Sequence, residues 1–284
     1  MQRDQSENIA DPSTPQTCYL IGHPIGHSLS PLIHSVAYEA TGLDWHYAVM
    51  DVLERDLDAV LAGIDGVNVV GVNVTIPHKQ AIFRRVDSLT ETARAVGAVN
   101  TVYRRDGKLV GDNTDVAGFI APLRELTGYN WSSKSALILG AGGAARAVAH
   151  ALTQKMGLAE VAVSARREAT ARDIPNVTVT AWNQREVAAA EADLIVNTTP
   201  VGMNPNADAS PLPDTTPFSP HQIVYDLIYA PPRTQLLDRA RSAGAQTIGG
   251  LPMLIGQAAA AFHIWTGREM PIESVMNALR DHRA

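Results

Sequence analysis

The run Ser135, Ala136, Leu137, Ile138, Leu139 is short and apolar, and Gly140-Ala141-Gly142-Gly143-Ala144-Ala145 follows it with no spacer. An alanine-rich helical stretch then continues to about residue 156. A strand that turns through glycines straight into a helix leaves few folds open. In the pattern G-x-G-x-x-A, Gly140 permits the tight turn and Gly142 lets the backbone approach a pyrophosphate. Ala145 lets the helix pack close to the strand, whose neighbouring helix N-terminus offers unpaired N–H groups to the phosphates. The plainer reading is a glycine-rich turn that binds nothing, and the strand–turn–helix setting argues against it.

The tip of the next strand bears on the kind of dinucleotide. A domain selecting NAD often carries Asp or Glu about 20 residues after the glycines, to hold a ribose 2′-hydroxyl. Here that strand ends Ser164-Ala165-Arg166-Arg167, with no acid and two arginines. Guanidinium groups match a 2′-phosphate in charge and in forked geometry, so NADP is preferred. Otherwise both arginines are solvated loop charges.

The rest of the chain alternates in the same way. Strands are expected at 19–22, 46–50, 69–74, 161–164, 193–197 and 223–226, with helical stretches before each of the last two. Helices are expected at 30–40, with Ser30 as N-cap before Pro31, and at 56–62, 88–96, 253–266 and 272–280, with Pro77 opening another. Asp106-Gly107 is a two-residue hairpin signal between 99–104 and 108–110. This predicts two α/β domains. Residues 17–120 are expected to form a substrate-binding domain with a mainly parallel sheet, joined by the helices of 253–284. Residues 121–252 form a Rossmann dinucleotide domain.

Four polar segments of the first block stand beside strand ends and helix starts. They are Ser28-Leu29-Ser30-Pro31, Asn73-Val74-Thr75-Ile76-Pro77-His78-Lys79, Gly97-Ala98-Val99-Asn100-Thr101 and Gly111-Asp112-Asn113-Thr114-Asp115. With Asn197-Thr198-Thr199-Pro200-Val201-Gly202-Met203, Tyr225-Asp226-Leu227-Ile228-Tyr229 and Gly250-Leu251-Pro252-Met253-Leu254-Ile255-Gly256-Gln257, their order resembles the shikimate dehydrogenase family from about residue 19 to 279. The resemblance implies NADP-linked interconversion of 3-dehydroshikimate and shikimate, a step of the route to chorismate and aromatic amino acids. It implies Lys79 and Asp115 as catalytic pair, and Ser28 and Ser30 on the substrate carboxylate. Thr75, Asn100, Tyr229 and Gln257 match positions that hydrogen-bond the ring hydroxyls or the carboxylate. Gly140, Ala141, Gly142, Gly143 and Ala144 match the pyrophosphate turn, and Ala165, Arg166 and Arg167 the 2′-phosphate site. Leu227 and Gly250 match nicotinamide contacts, and Glu91 a position at the cofactor cleft. Without the resemblance, Lys79 is a surface lysine, Asp115 and Asn100 are cap or turn residues, Gln257 is a polar helix position, and Glu91 is a first-turn acid. The family's usual asparagine and threonine around the phosphate arginine are replaced by Ala165 and Arg167.

Other classes are disfavoured. The 284 residues carry a net charge of −6, against a nucleic-acid partner. No apolar run approaches a membrane span, and the polar residues 1–16 read as a disordered tail rather than a signal peptide. One cysteine, Cys18, suits a reducing compartment, so a cytoplasmic protein is expected. The resemblance implies a monomer or homodimer. His23, His27 and His34 lack a metal-site pattern, and no metal is expected. Quinate as substrate, NAD as cofactor, and a non-catalytic sensor of shikimate or nucleotide remain the rival readings.

Overall fold

The computed structural model describes residues 15–25, 28–126 and 129–282. Its contacts divide the chain into two compact units, 1–113 with 258–284, and 114–257. The chain begins with β1 (Gln16–Gly22), α1 (Ser30–Ala40), β2 (Trp45–Asp51), α2 (Leu57–Ala62), β3 (Val69–Val74), α3 (Lys79–Phe83), β4 (Ser88–Leu89), α4 (Glu91–Val96), β5 (Thr101–Arg105) and β6 (Lys108–Asp112). It continues through α5 (Asp115–Arg124), β7 (Ser135–Leu139), α6 (Gly143–His150), β8 (Glu160–Ser164), α7 (Glu168–Arg172), β9 (Thr178–Thr180), α8 (Arg185–Glu191) and β10 (Leu194–Asn197). β11 (Ile223–Asp226), α9 (Gln235–Ser242), β12 (Gln246–Ile248), α10 (Leu251–Thr266) and α11 (Ile272–Asp281) complete it.

The first sheet has the order β2-β1-β3-β5-β6-β4. β5 is antiparallel to both its neighbours, and the other pairings are parallel. Side chains alternate across the sheet, so each face has its own character. Ile21, Val72, Val74 and Val102 point into an apolar core shared with Leu57, Leu61 and Ile82. The opposite face carries aromatic rings. His34 of α1 stacks flat on Tyr47 at 4.2 Å between centroids, and Trp265 of α10 lies tilted over His34 at 5.5 Å.

The second sheet is parallel throughout, in the order β12-β11-β10-β7-β8-β9. The strand order therefore reverses between β7 and β10, as in doubly wound dinucleotide-binding sheets. Its inner strands are apolar on both faces, with Leu137, Ile138, Ile195 and Val196 all buried. A strand covered by helices on both sides needs that composition.

The hairpin falls at Asp106 and Gly107, both at positive φ as a two-residue turn requires. Several expectations are corrected. Residues 88–89 are a strand, because Ser88 and Leu89 pair with Val110 and Gly111 of β6. The helix there starts only at Glu91, capped by the Thr90 hydroxyl, which accepts the Ala93 N–H. Pro77 does not open a helix. It lies in a turn closed by His78 N–H on the Thr75 carbonyl, and α3 begins at Lys79. Ser30 is the first helical residue rather than the cap. No helix precedes β11, since prolines at 200, 205, 211, 213, 217 and 220 break the crossover. α5 was not expected, because Gly118 and Pro122 interrupt its pattern. The division between the units falls at 113/114 and 257/258, rather than at 120/121 and 252/253, since α5 belongs entire to the second unit. The expected tail lies outside the described residues except for its last two, of which Gln16 opens β1.

Complete burial without a charged partner pushes the His34 imidazole down to about 3. The unfolded chain takes up that proton near pH 6.5, so stability falls as pH drops below 6.5. His34→Phe keeps the ring and removes the proton site. Between pH 7 and pH 5 the variant should lose on the order of 2 kcal/mol less stability than the wild type. Urea unfolding at the two pH values measures this, and equal losses would exclude the assignment.

Candidate active site

In the second unit the glycine turn sits at the reversal of strand order. Gly140 follows β7 at φ +112, a conformation side chains rarely adopt, and a Cβ there would meet Thr198 Oγ1 at 2.5 Å. Its N–H donates to the Ser164 carbonyl at 2.9 Å. Thr198, just past β10, donates from Oγ1 to the Leu139 carbonyl at 2.7 Å. Gly142 stands at the start of α6, extended, and a Cβ there would meet nothing within 4 Å. Ala141, Gly143 and Ala144 are half-buried or exposed, whereas Ala145 is fully buried against the sheet. The turn thus presents open backbone and a helix N-terminus, the chemistry that holds a pyrophosphate. At the tip of β8, Ala165 is buried, and Arg166 and Arg167 are exposed. Both guanidinium groups stand at the strand end where a ribose 2′ position is read.

A buried carboxylate organises the next strand ends. Asp226 ends β11 and is fully buried. Its Oδ1 accepts Asn197 Nδ2 at 2.9 Å and the Ile228 N–H at 3.1 Å, and its Oδ2 accepts the Thr234 hydroxyl at 2.7 Å. Asn197 Oδ1 in turn receives the N–H and hydroxyl of Thr199. This network ties the loops after β10 and β11 together and shapes the segment bearing half-buried Leu227 and Tyr229. The Gly250 N–H donates to the Ile228 carbonyl at 3.0 Å, joining the start of α10 to that segment.

Asp115, almost fully buried, begins α5, and Gln257 lies on α10. Gly118 brings these helices together: a Cβ on it would meet the Met253 carbonyl at 2.6 Å and the Gln257 N–H at 2.7 Å. Gln257 Nε2 donates to the Leu254 carbonyl at 2.9 Å.

In the first unit the candidate residues gather at the carboxyl ends of β1 and β3. The Ser30 N–H donates to Ser28 Oγ at 3.1 Å, so Ser28 does the capping expected of Ser30. Thr75 follows β3, and its N–H donates to the Ile21 carbonyl at 2.9 Å. His78 is buried beneath the turn, its Nε2 2.6 Å from the Val52 carbonyl. That anchor leads into half-buried Lys79, whose carbonyl accepts the Val99 N–H at 2.9 Å, next to Asn100. Asn100, 2% exposed, joins Val74 and Asp112 through its backbone. Glu91 lies exposed in the first turn of α4. Strand ends thus bring Ser28, Ser30, Thr75, Lys79 and Asn100 to one edge of the first unit. Asp115, Tyr229, Gln257 and the glycine turn belong to the second.

Asn197 and Asp226 were not singled out from sequence. Their signal was a polar residue ending an otherwise apolar strand. Of the discounted histidines, His34 is buried among rings, His23 pairs with Asp51 at 2.6 Å, and His27 lies outside the described residues. Among the described residues no group of three or more His, Cys, Asp or Glu is placed to hold a metal ion.

A doubly wound parallel sheet with an open glycine turn at its switch point defines a dinucleotide-binding α/β protein. Comparison with known proteins narrows this. Residues 20–102 match the family described as shikimate dehydrogenase substrate binding domain, and residues 250–280 match the shikimate 5′-dehydrogenase C-terminal domain. A shikimate dehydrogenase (NADP(+)) of Salinibacter ruber is 42% identical over 279 residues, 94% of this chain and 98% of the relative. A crystal structure of a shikimate dehydrogenase in complex with NADP+ superposes with a TM-score of 0.85 at 39% identity, covering 94% of this chain and 96% of that one. The Listeria monocytogenes shikimate 5-dehydrogenase in complex with shikimate and NAD gives a TM-score of 0.84 at 35% identity, covering 96% of this chain and 99% of that one. The chain belongs to the shikimate dehydrogenase family.

Burial pushes the Asp226 carboxyl up to about 6, against the three hydrogen bonds it accepts. An acid held protonated by the fold contributes stability below pH 4 that is lost as pH rises through 6. Asp226→Asn cannot ionise. Its stability relative to wild type should therefore improve from pH 4 to pH 7 by up to about 3 kcal/mol, measured by urea unfolding across that range. A difference that stays constant with pH would show that Asp226 ionises normally.

Proposed function

We propose that this protein catalyses the reversible NADPH-linked reduction of 3-dehydroshikimate to shikimate, a step in chorismate and aromatic amino-acid synthesis. The observation that carries this reading is 42% identity over nearly the whole of both chains to a relative named for that activity. The residues present fit it. Gly140, Ala141, Gly142, Gly143 and Ala144 hold the pyrophosphate on open backbone at the start of α6, and Arg166 and Arg167 beside Ala165 meet the 2′-phosphate. Leu227 and Gly250 line the nicotinamide, with Glu91 assigned to the cofactor as well. The cofactor, when bound, exchanges a hydride with the carbon bearing the reacting hydroxyl.

Ser28 and Ser30 bind the substrate carboxylate at the N-terminus of α1. Thr75, Asn100, Tyr229 and Gln257 hydrogen-bond the ring hydroxyls or the carboxylate. A triol acid needs many such partners, and each hydrogen bond fixes its orientation for reaction. Lys79 takes the proton of the alcohol during oxidation and returns it during reduction. Asp115 orients Lys79 and hydrogen-bonds the substrate. The buried turn under His78 sets the backbone of Lys79, so its side-chain nitrogen works from a fixed anchor. Buried Cys18 suits the cytoplasm, and among the described residues no helix is long and apolar enough to cross a membrane. A monomer or homodimer acting on small molecules is the form proposed.

Steady-state nicotinamide reduction tests this, with shikimate or quinate each paired with NADP or NAD. Turnover confined to shikimate and NADP is expected. The NAD held by the Listeria relative favours a second reading, in which NAD serves as well, and comparable rates with NAD would establish it. Binding of both ligands without turnover in any pairing would mean a sensor. Lys79→Ala should lower kcat by about a hundredfold or more at unchanged melting temperature, as loss of a general base does. Near-normal turnover would remove Lys79 from proton transfer. Arg166→Ala and Arg167→Ala together should raise KM for NADP by roughly ten- to a hundredfold and leave KM for NAD almost unchanged. Equal effects on the two cofactors would mean that the arginines do not read the phosphate.

A further inference from the structure

One row of paired residues runs right across the first sheet. Tyr47 pairs with Cys18, Cys18 with Gly71, Gly71 with Tyr103, Tyr103 with Val110 and Val110 with Ser88. Residues opposite one another in neighbouring strands share a face, so the whole row belongs to one side of the sheet. His34 and Trp265 cover one half of it. His34 stacks on Tyr47, and Trp265 Nε1 lies 2.4 Å from where a Cβ on Gly71 would stand. The other half opens as a trough of about 360 Å³, whose lining includes Ser88, Leu89, Tyr103, Arg105, Lys108 and Val110.

The charge in this trough is one-sided. The Asp106-Gly107 turn fixes the register of the hairpin, so Arg105 pairs directly with Lys108, and both are exposed. Like charges directly opposite on two strands repel and lower stability. Among the described residues neither cation forms an ion pair with an acid, although Asp106 stands between them in sequence. The Arg105 guanidinium lies over the Tyr103 ring, 5.1 Å from its centroid. Tyr103 is only 6% exposed, and its hydroxyl makes no hydrogen bond among the described residues. A donor held in a buried side chain costs free energy until it finds an acceptor. One oxyanion answers all three groups. The two oxygens of a carboxylate have lone pairs enough for a guanidinium, an ammonium and a phenol together.

We propose that this trough is a second ligand site, and that it takes a small carboxylic acid with an apolar body. The carboxylate sits between Arg105 and Lys108 and accepts the Tyr103 hydroxyl. The body lies against Leu89 and Val110, which give the trough its apolar wall. The volume is at the small end of the range for ligand pockets, which limits the ligand to about one ring. The site stands apart from the candidate active site. Arg105 is five residues along the chain from Asn100, roughly 16 Å at the rise of a strand. It uses none of the groups assigned to substrate or cofactor, so it does not rest on the proposed function.

Benzoate is the probe, followed through the backbone amide signals of Gly107 and Lys108 in NMR spectra of the full chain. Those signals report the hairpin and not the serines of α1, which offer a carboxylate site of their own. Saturable shifts with a Kd of roughly 10 mM or tighter are expected. Arg105→Gln and Lys108→Gln should each weaken binding about tenfold, and Tyr103→Phe about threefold or more. Inorganic phosphate has the charge without the apolar body, and should bind the hairpin about tenfold more weakly than benzoate. No saturable shift at the hairpin overturns the site. Unchanged affinity in both glutamine variants removes the cation pair from it and overturns the proposal too. Phosphate binding as tightly as benzoate means a bare patch of charge, and overturns the class of ligand. Both cations are exposed, so their variants decide the matter if Tyr103→Phe does not fold. The readout needs no turnover, so a failure of the proposed function is seen separately, in the kinetics of the wild type.

Discussion

Parallel pairing puts the carboxyl ends of neighbouring strands on one edge of a sheet, and both units depend on that constraint. In the second unit it brings the turn after β7 beside the loop after β10, so Gly140 and Thr198 touch where the strand order reverses. In the first unit it brings the ends of β1 and β3 together, and with them Ser28, Ser30, Thr75 and Lys79. β5 runs the other way, so its amino end, with Asn100 just before it, reaches the same edge. The candidate chemistry follows from strand direction before any side chain is considered.

What the sequence made legible tracks how local each signal is. The glycine turn, the Asp106-Gly107 hairpin and the inner apolar strands are set by a few adjacent residues, and each reads directly. Helix starts were less legible, because a polar residue before a proline looks alike as cap, turn or strand end. Ser30 was read as a cap, but its neighbour Ser28 does that work. The pair Ser88 and Leu89 joins a strand only because β6 lies alongside, a contact made across twenty-odd residues. α5 forms despite Gly118 and Pro122, because Gly118 lets α10 approach closely, and the packing outweighs the local preference. The residues of the candidate site were named through resemblance to a family. Physics alone would have left Lys79 on the surface and Asn100 in a turn.

Least legible were the polar groups in the interior. Asp226, Asn197, Asn73 and Thr101 look like ordinary members of their strands, and only three-dimensional pairing shows what they hold. A buried polar atom costs free energy unless it finds a partner, so each ends up in a network that also fixes a neighbouring loop or amide. Asp226 shapes the segment carrying Leu227 and Tyr229 in this way, and Asn73 joins Tyr47 to the Asn100 carbonyl and the Thr101 hydroxyl. At Asp226 the network gives up stability as the carboxyl ionises in exchange for definite geometry at the strand ends.

The discontinuity of the first unit has a consequence for biosynthesis. Its aromatic face is closed by Trp265, and α11 packs on α1, yet both come after the whole of residues 114–257 in the chain. As the polypeptide leaves the ribosome, β1 to β6 and α1 emerge first, with Tyr47 and His34 still uncovered. The second unit, whose residues are contiguous, can fold while the first still lacks its closing helices. The nascent chain thus carries an exposed aromatic surface while residues 114–257 are made, and the entropy of closing that loop is met only when α10 and α11 appear. Completion of the amino-terminal unit therefore waits for residues 258–284, and those helices serve as its internal folding partner.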